Sequence, residues 1–385
     1  MNPVSAISDD EPGVLQQGIA LCLSGGGYRA MVFHVGALIR LNEAGILAKL
    51  SRVSSVSGGS ITAAVLGHQW KHLNFVQGVA NNLNIVVDRV RQMADTNVGM
   101  GAVIGGILLP GKVSDRVSAA YDKVLFNGAT LQDLPDDNKG EGPRFVINAT
   151  SVQTAALWRF SKPYMGDYRI GLIDNPTVPL ARAVAASSAF PPLLSPLTLD
   201  LDQAPSETTG ADLARAPFTS VAVLSDGGVY DNLGLETAIK RYMTLLVSDG
   251  GQKIAPEEDP HTDWGRHSVR IFDIVDNQVR SLRKRHLIES YLRGDHTGCY
   301  WGIRTNFADY GLTTDPLGCT HRNPTYLAEI PTRLERMPRA VQEQLINWGY
   351  AVCDAALRRH FDTTTQAQYG VSISPPVNFP FPNGY

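Results

Sequence analysis

Two short turns carry the residues of this chain best suited to chemistry. One is Ser24-Gly25-Gly26-Gly27-Tyr28-Arg29, and the other is Ser55-Val56-Ser57-Gly58-Gly59-Ser60. Consecutive glycines let backbone N–H groups converge on one point with no Cβ in the way, and a helix start beyond them favours negative charge there. Donors placed where an oxyanion develops lower a barrier by roughly 3–4 kcal/mol each. Ser55-Val56-Ser57-Gly58-Gly59 is a variant of the G-x-S-x-G elbow, with Ser55 in place of the first glycine and Ser57 in the nucleophile position. An anion-binding loop beside a serine elbow makes acyl hydrolysis the leading chemistry, with Gly25, Gly58 and Gly59 as supporting turn residues.

A serine nucleophile needs a base. The nine histidines are His34, His68, His72, His261, His267, His286, His296, His321 and His360, and none lies in a short glycine-flanked turn after a strand. An α/β serine esterase with a Ser–His–Asp triad is therefore an alternative without a candidate histidine. Asp226 fits better: it ends an apolar run and precedes Gly227-Gly228, a setting from which a carboxylate can reach a neighbouring turn. Its unperturbed pKa is about 4, and partial burial would make it a stronger base. Ser248-Asp249-Gly250-Gly251 repeats the pattern, so Asp249 is a second candidate, although a turn-capping role suits it more.

The glycine loop has a rival use. Gly25-Gly26-Gly27-Tyr28-Arg29-Ala30 fits the G-x-G-x-x-A dinucleotide fingerprint. That fingerprint needs an acid at the end of the second strand, where this chain has Ser54-Ser55-Val56-Ser57; the nearest acid, Glu43, falls in the preceding helix. A non-hydrolytic nucleotide-binding α/β protein is thus the alternative from another class.

These turns need strands and helices to hold them. The pattern predicts strands over 19–23, 53–56, 144–150, 219–224, 244–247 and 269–275, and helices over 29–44, 58–69, 178–189, 233–242 and 338–359. Alternating strands and helices imply an α/β fold of three α/β/α layers around a mostly parallel sheet. The expected organisation is one elaborated domain over 1–385: a core over 15–250, a C-terminal elaboration over 251–362 and an extended tail over 363–385. The apolar, glycine-rich stretch Val98–Leu109 reads either as a buried connection or as a flap touching lipid. Arg280, Arg283, Lys284, Arg285 and His286 read as a solvated helix face, with an anionic headgroup contact as the alternative.

With 385 residues, 43% hydrophobic and 18% charged, the chain can bury a large core. A formal net charge of −3 gives no case for nucleic acid as a partner. Cys22, Cys299, Cys319 and Cys353 show neither paired nor zinc-ligand spacing and read as reduced thiols; neither a metal nor an organic cofactor is expected. The N-terminus lacks a basic n-region and no apolar run reaches the ~18 residues of a membrane span. The expectation is a cytoplasmic protein that meets a membrane only peripherally.

The glycine loop, the serine turn, Ala186-Ser187-Ser188-Ala189-Phe190-Pro191 and Ser225-Asp226-Gly227-Gly228 occur in this order. As a set they resemble the patatin-like phospholipases, and the S-G-G-G-aromatic-R-A form is most similar to their cytosolic phospholipase A relatives. The resemblance spans about residues 19–250. It implies a Ser57–Asp226 dyad, an oxyanion hole from the N–H groups of Gly26 and Gly27, and a substrate-phosphate contact at Arg29. It also implies a phospholipid or lysophospholipid substrate. A guanidinium suits phosphate, which it binds bidentately; pairing of Arg29 with a structural carboxylate is the other reading of that residue.

Overall fold

A computed structural model describes residues 14–98, 112–203, 205–206, 211–252, 254–319 and 324–385. Apart from Val98, the stretch Val98–Leu109 lies outside these residues.

The first strand, β1 (Gln16–Leu23), is apolar and buried from Ile19 to Leu23 because both of its faces are covered there. Ile19, Leu21 and Leu23 enter the main core with α1 (Gly27–Glu43) and α2 (Gly58–Gln69). Ala20 and Cys22 point the other way, into a second core with Leu245, Val247 and Leu287. This alternation creates the three layers.

The remaining elements are β2 (Leu50–Val56), α3 (Asn84–Ala94), α4 (Lys112–Tyr121), β3 (Arg144–Ser151), β4 (Ala156–Phe160), β5 (Tyr164–Asp167), β6 (Gly171–Asp174) and α5 (Leu180–Ser187). They continue as β7 (Leu197–Asp200), β8 (Val221–Asp226), β9 (Tyr242–Asp249), α6 (Trp264–Arg293), β10 (Thr297–Gly302), α7 (Arg339–His360) and α8 (Thr363–Tyr369). Strand order is β10-β9-β1-β2-β3-β4-β5-β6, parallel from β10 to β3 and antiparallel beyond.

One junction positions the site. On the edge of β3 opposite β4, β2 pairs with residues up to Asn148, opposite Val56. On that same edge β8 arrives antiparallel and pairs Asp226 with Ala149. The ends of β2 and β8 therefore meet at adjacent register positions of β3, bringing residues 57 and 226 together.

The closing helix α7 packs on α1 at very short range. A Cβ on Gly36 would sit 1.9 Å from Ile346 O, and one on Gly349 would sit 2.0 Å from Phe33 O. Two facing glycines let the helix backbones touch.

Several expectations change. The stretch 269–275 is not a strand but the interior of α6, which Asp263 caps by accepting from Arg266 N at 3.0 Å and which stops at Gly294, φ 77°. Its β-branched residues misled the pattern because Val269, Ile271, Ile274 and Val275 are exposed rather than spaced along a buried face. The predicted helix over 233–242 shrinks to a single turn, Glu236–Ile239. The antiparallel strands β4–β7 were not anticipated. The tail is not wholly extended: Asp362 caps α8, and the last residues fold back so that Asn347 Nδ2 donates to Phe381 O at 2.8 Å and Gly384 O at 2.7 Å. All four cysteines are buried and unpaired by disulfides. No helix among the described residues is long and apolar enough to cross a membrane.

Candidate active site

Ser57 ends β2 and starts α2 with φ 51° and ψ −120°, a backbone conformation that a residue with a Cβ rarely adopts. Neighbours enforce the turn. Ser57 N donates to Ser187 Oγ at 2.9 Å, and Ser187 Oγ in turn donates to Asn148 O at 2.6 Å. Gly58 and Gly59 are needed where they stand: a Cβ on Gly58 would meet Gly27 O at 2.1 Å, and one on Gly59 would meet Leu23 O at 2.4 Å. The serine turn thus lies directly on the glycine loop.

That loop is braced from below. Ser24 Oγ accepts from Gly250 N at 2.8 Å, and Gly25 N donates to Asn232 O at 3.0 Å. His34 is buried, with Nε2 2.9 Å from Ser24 O and Nδ1 2.8 Å from Ser248 Oγ; burial pushes its pKa down to about 4. A neutral imidazole donating from Nε2 to the carbonyl satisfies both contacts. Gly26 (φ 140°) and Gly27 (φ 60°) adopt backbone angles that favour glycine. The N–H groups of Gly26, Gly27 and Gly58 take no hydrogen-bond partner among the described residues, which leaves three donors around Ser57.

Asp226 is 1% exposed. Its backbone is fixed by Thr150 Oγ1, donating to Asp226 O at 2.8 Å, and by Asp226 N, donating to Ala189 O at 2.9 Å. Oδ1 accepts from Gly228 N at 2.7 Å. Oδ2 is buried with no hydrogen-bond partner among the described residues. Burial pushes the carboxyl up to about 7, with a smaller upward push from Asp276, while the Gly228 N–H and the Ser57 hydroxyl pull it down. Gly227 is required because a Cβ there would meet Asn148 O at 2.3 Å.

Asp249 sits elsewhere. It is buried beneath the glycine loop, where Oδ1 accepts from Gly251 N at 2.8 Å and Oδ2 accepts from Tyr300 Oη at 2.7 Å. It does not line the cavity that holds Ser57 and Asp226. Its turn shapes that cavity instead, since Gly250 O accepts from Arg29 Nε at 3.0 Å.

Arg29 is fully buried and forms no ion pair with a carboxylate among the described residues. Its remaining nitrogens donate to Ile330 O and, at 3.2 Å, to Thr332 Oγ1. Burial pushes its pKa down to about 9, helped by the nearby Arg280. The basic run on α6 is not a solvated face. Arg280 is buried, and Arg283 pairs with Glu236 at 2.8 Å and Asp231 at 3.6 Å; only Arg285 and His286 are exposed.

Two spaces meet at Ser57. A polar pocket of about 330 Å³ holds Arg29, Asp226, Asn232 and Arg280. A groove of about 470 Å³ is largely apolar, with Pro191, Leu193, Leu194 and Leu334 on its walls. None of the described histidines lines either space. Asn148, Asn232 and Thr332 belong to no local motif and were not legible in the sequence, whereas Arg280 was named there as part of the basic run; Ser187, within the motif Ala186–Pro191, bridges the serine and aspartate turns. No group of side chains suited to hold a metal ion is present among the described residues.

A family model described as patatin-like phospholipase matches residues 21–239, more than half of the chain. No curated protein sequence matches. Among solved structures, human GIVD cytosolic phospholipase A2 is similar with a TM-score of 0.40 and 13% identity, over 61% of this chain and 46% of that one. VipD from Legionella pneumophila is similar with a TM-score of 0.35 and 15% identity, over 91% of this chain and 68% of that one. The chain spans less than half the length of the human enzyme it aligns with.

Proposed function

The chain belongs to the patatin-like phospholipase family, and from that premise we propose that it is a lipid acyl hydrolase cleaving fatty-acyl esters of glycerophospholipids or lysophospholipids. Ser57 is the nucleophile and Asp226 its base. One observation carries the reading: Ser57 is held at φ 51° against a buried, half-unpartnered carboxylate, where a polar pocket opens into an apolar groove.

In the proposed reaction the Ser57 hydroxyl attacks the ester carbonyl and gives its proton to Asp226 Oδ2. The oxyanion takes hydrogen bonds from the free N–H groups of Gly26 and Gly27, with that of Gly58 also within the same turn assembly. Asp226 then protonates the leaving alcohol. Water deprotonated by Asp226 cleaves the acyl-enzyme and restores Ser57. A carboxyl near pH 7 suits both directions of transfer, because a base works best when its pKa lies close to the operating pH. The acyl chain follows the groove, and the phosphate faces Arg29 in the pocket. Phe190 and Leu193 stand 40% and 60% exposed at the groove, which supports peripheral contact with a lipid surface.

Fatty-acid release from mixed phospholipid vesicles tests the assignment. Ser57→Ala and Asp226→Asn each abolish release while the protein stays folded, and Asp249→Asn retains it. Normal turnover by the Asp226 variant, with loss in the Asp249 variant, would reverse the roles.

A further inference from the structure

The polar pocket is lined by charge of both signs. Arg29 and Arg280 are 0% and 5% exposed, and neither forms an ion pair with a described residue. Arg280 donates to Gln252 O and, at 3.4 Å, to Asn277 Oδ1. Two guanidiniums facing one cavity repel each other; the buried Asp249 behind them offsets part of that repulsion, and an anion between them relieves the rest. The third cation on the wall, Arg270, is already committed to Glu257 at 3.4 Å and to Ala255 O at 2.8 Å.

Along α6, which also carries Arg280, Asp276 and Asp273 line the same pocket one and two turns before that arginine. Neither carboxylate makes a hydrogen bond or an ion pair with a described residue. Phe272, beside them, also lines the pocket and meets Phe190 edge to face with ring centroids 6.2 Å apart. Burial pushes Asp276 up to about 6, against the pull of Arg280, and a cation bound beside it would bring it down. Carboxylates with free oxygens next to aromatic rings suit an alkylammonium group.

We infer that the pocket selects a zwitterionic headgroup, with its phosphate against Arg29 and Arg280 and its ammonium against Asp273 and Asp276. The inference rests on the phospholipid reading above and deepens it. A purely anionic headgroup would satisfy the two arginines and leave Asp273 and Asp276 without a cation. An uncharged glyceride would leave both sets of charges unmet.

Isothermal titration calorimetry of the intact protein at pH 8 with sn-glycero-3-phosphocholine and with sn-glycerol 3-phosphate reads this without turnover. The wild type binds the zwitterion about tenfold more tightly, the scale of one well-placed charge contact. Asp273→Asn/Asp276→Asn loses that preference, and so does Asp276→Asn alone in part, while both melt no lower than the wild type. Equal affinity of the wild type for the two ligands, or an unchanged ratio in the double variant, would overturn the inference. Either result would leave the hydrolase assignment standing if the protein still releases fatty acid, whereas absence of release with the preference intact would overturn the hydrolase assignment alone.

Discussion

Asp226 is held where its charge is costly, and that cost has a definite pH signature. Its carboxyl titrates near 7 in the folded protein and near 4 when unfolded. The folded state therefore binds the extra proton between those values, and stability falls as pH rises through that window. The penalty is absent below about pH 4 and complete above pH 7. Asp226→Asn keeps an acceptor for Gly228 N and removes the buried charge, so it should melt higher than wild type at pH 8, by on the order of 2–4 kcal/mol in stability. The difference should shrink towards zero near pH 4. Thermal unfolding across that range checks it, and a variant less stable than wild type at pH 8 would show that the charge is compensated. Arg29 gives a second test at this scale. Arg29→Ala should raise KM for phospholipid far more than for a neutral short-chain ester, although loss of its bonds to Gly250 and Ile330 will lower stability as well. Equal losses on both substrates would assign Arg29 to structure alone.

The catalytic geometry depends on elements meeting end to end. β2 brings Ser57 along one edge of β3 and β8 brings Asp226 from the opposite direction, so the pair depends on the register of both strands. The serine turn then rests on the glycine loop with no room for a side chain. Gly58→Ala should cost roughly 1–3 kcal/mol through overpacking and abolish activity, because its Cβ meets Gly27 O at 2.1 Å. Denaturant melts and fatty-acid release together check this; an active, fully stable Gly58→Ala would mean that the two turns can separate. The two strand–turn–helix units were legible in the sequence because each combines a doubly buried apolar strand, a glycine turn and a helical repeat within about 25 residues. α6 was not. Val269, Ile271, Ile274 and Val275 look like a strand because they are β-branched, but the helix is set by its Asp263 cap and by residues such as Phe272, Asp276 and Arg280 that return to one face every turn. The antiparallel wing was equally hidden, although it is mostly a local meander, because its strands β4, β5 and β6 are only 5, 4 and 4 residues long, too short to show a clear alternation.

Across the whole molecule, the candidate site draws on both ends of the chain. Thr332 and Arg333 close over the glycine loop, with Tyr28 N donating to Arg333 O at 3.0 Å, while α7 locks α1 through Gly36 and Gly349. The sequence motifs stop near residue 250, so they could not reveal that the C-terminal third supplies Arg280, Thr332 and Leu334 to the pocket and groove. The division into a polar pocket and an apolar groove is a property of the assembled molecule. It predicts that Leu193→Glu, at an exposed groove position, lowers activity on phospholipid vesicles several-fold more than on a soluble short-chain ester. Parallel assays on the two substrates check this, and equal effects would place the lipid contact elsewhere.

The most direct test of the central claim, that Asp226 activates Ser57, is the rate of covalent labelling by a fluorophosphonate probe as a function of pH, with the adduct mapped by mass spectrometry. A single adduct forms on Ser57, at a rate that rises through one titration near pH 7. Asp226→Asn should slow it by at least ~100-fold, the scale of a lost general base. Labelling at another residue, or a wild-type rate in Asp226→Asn, would contradict it.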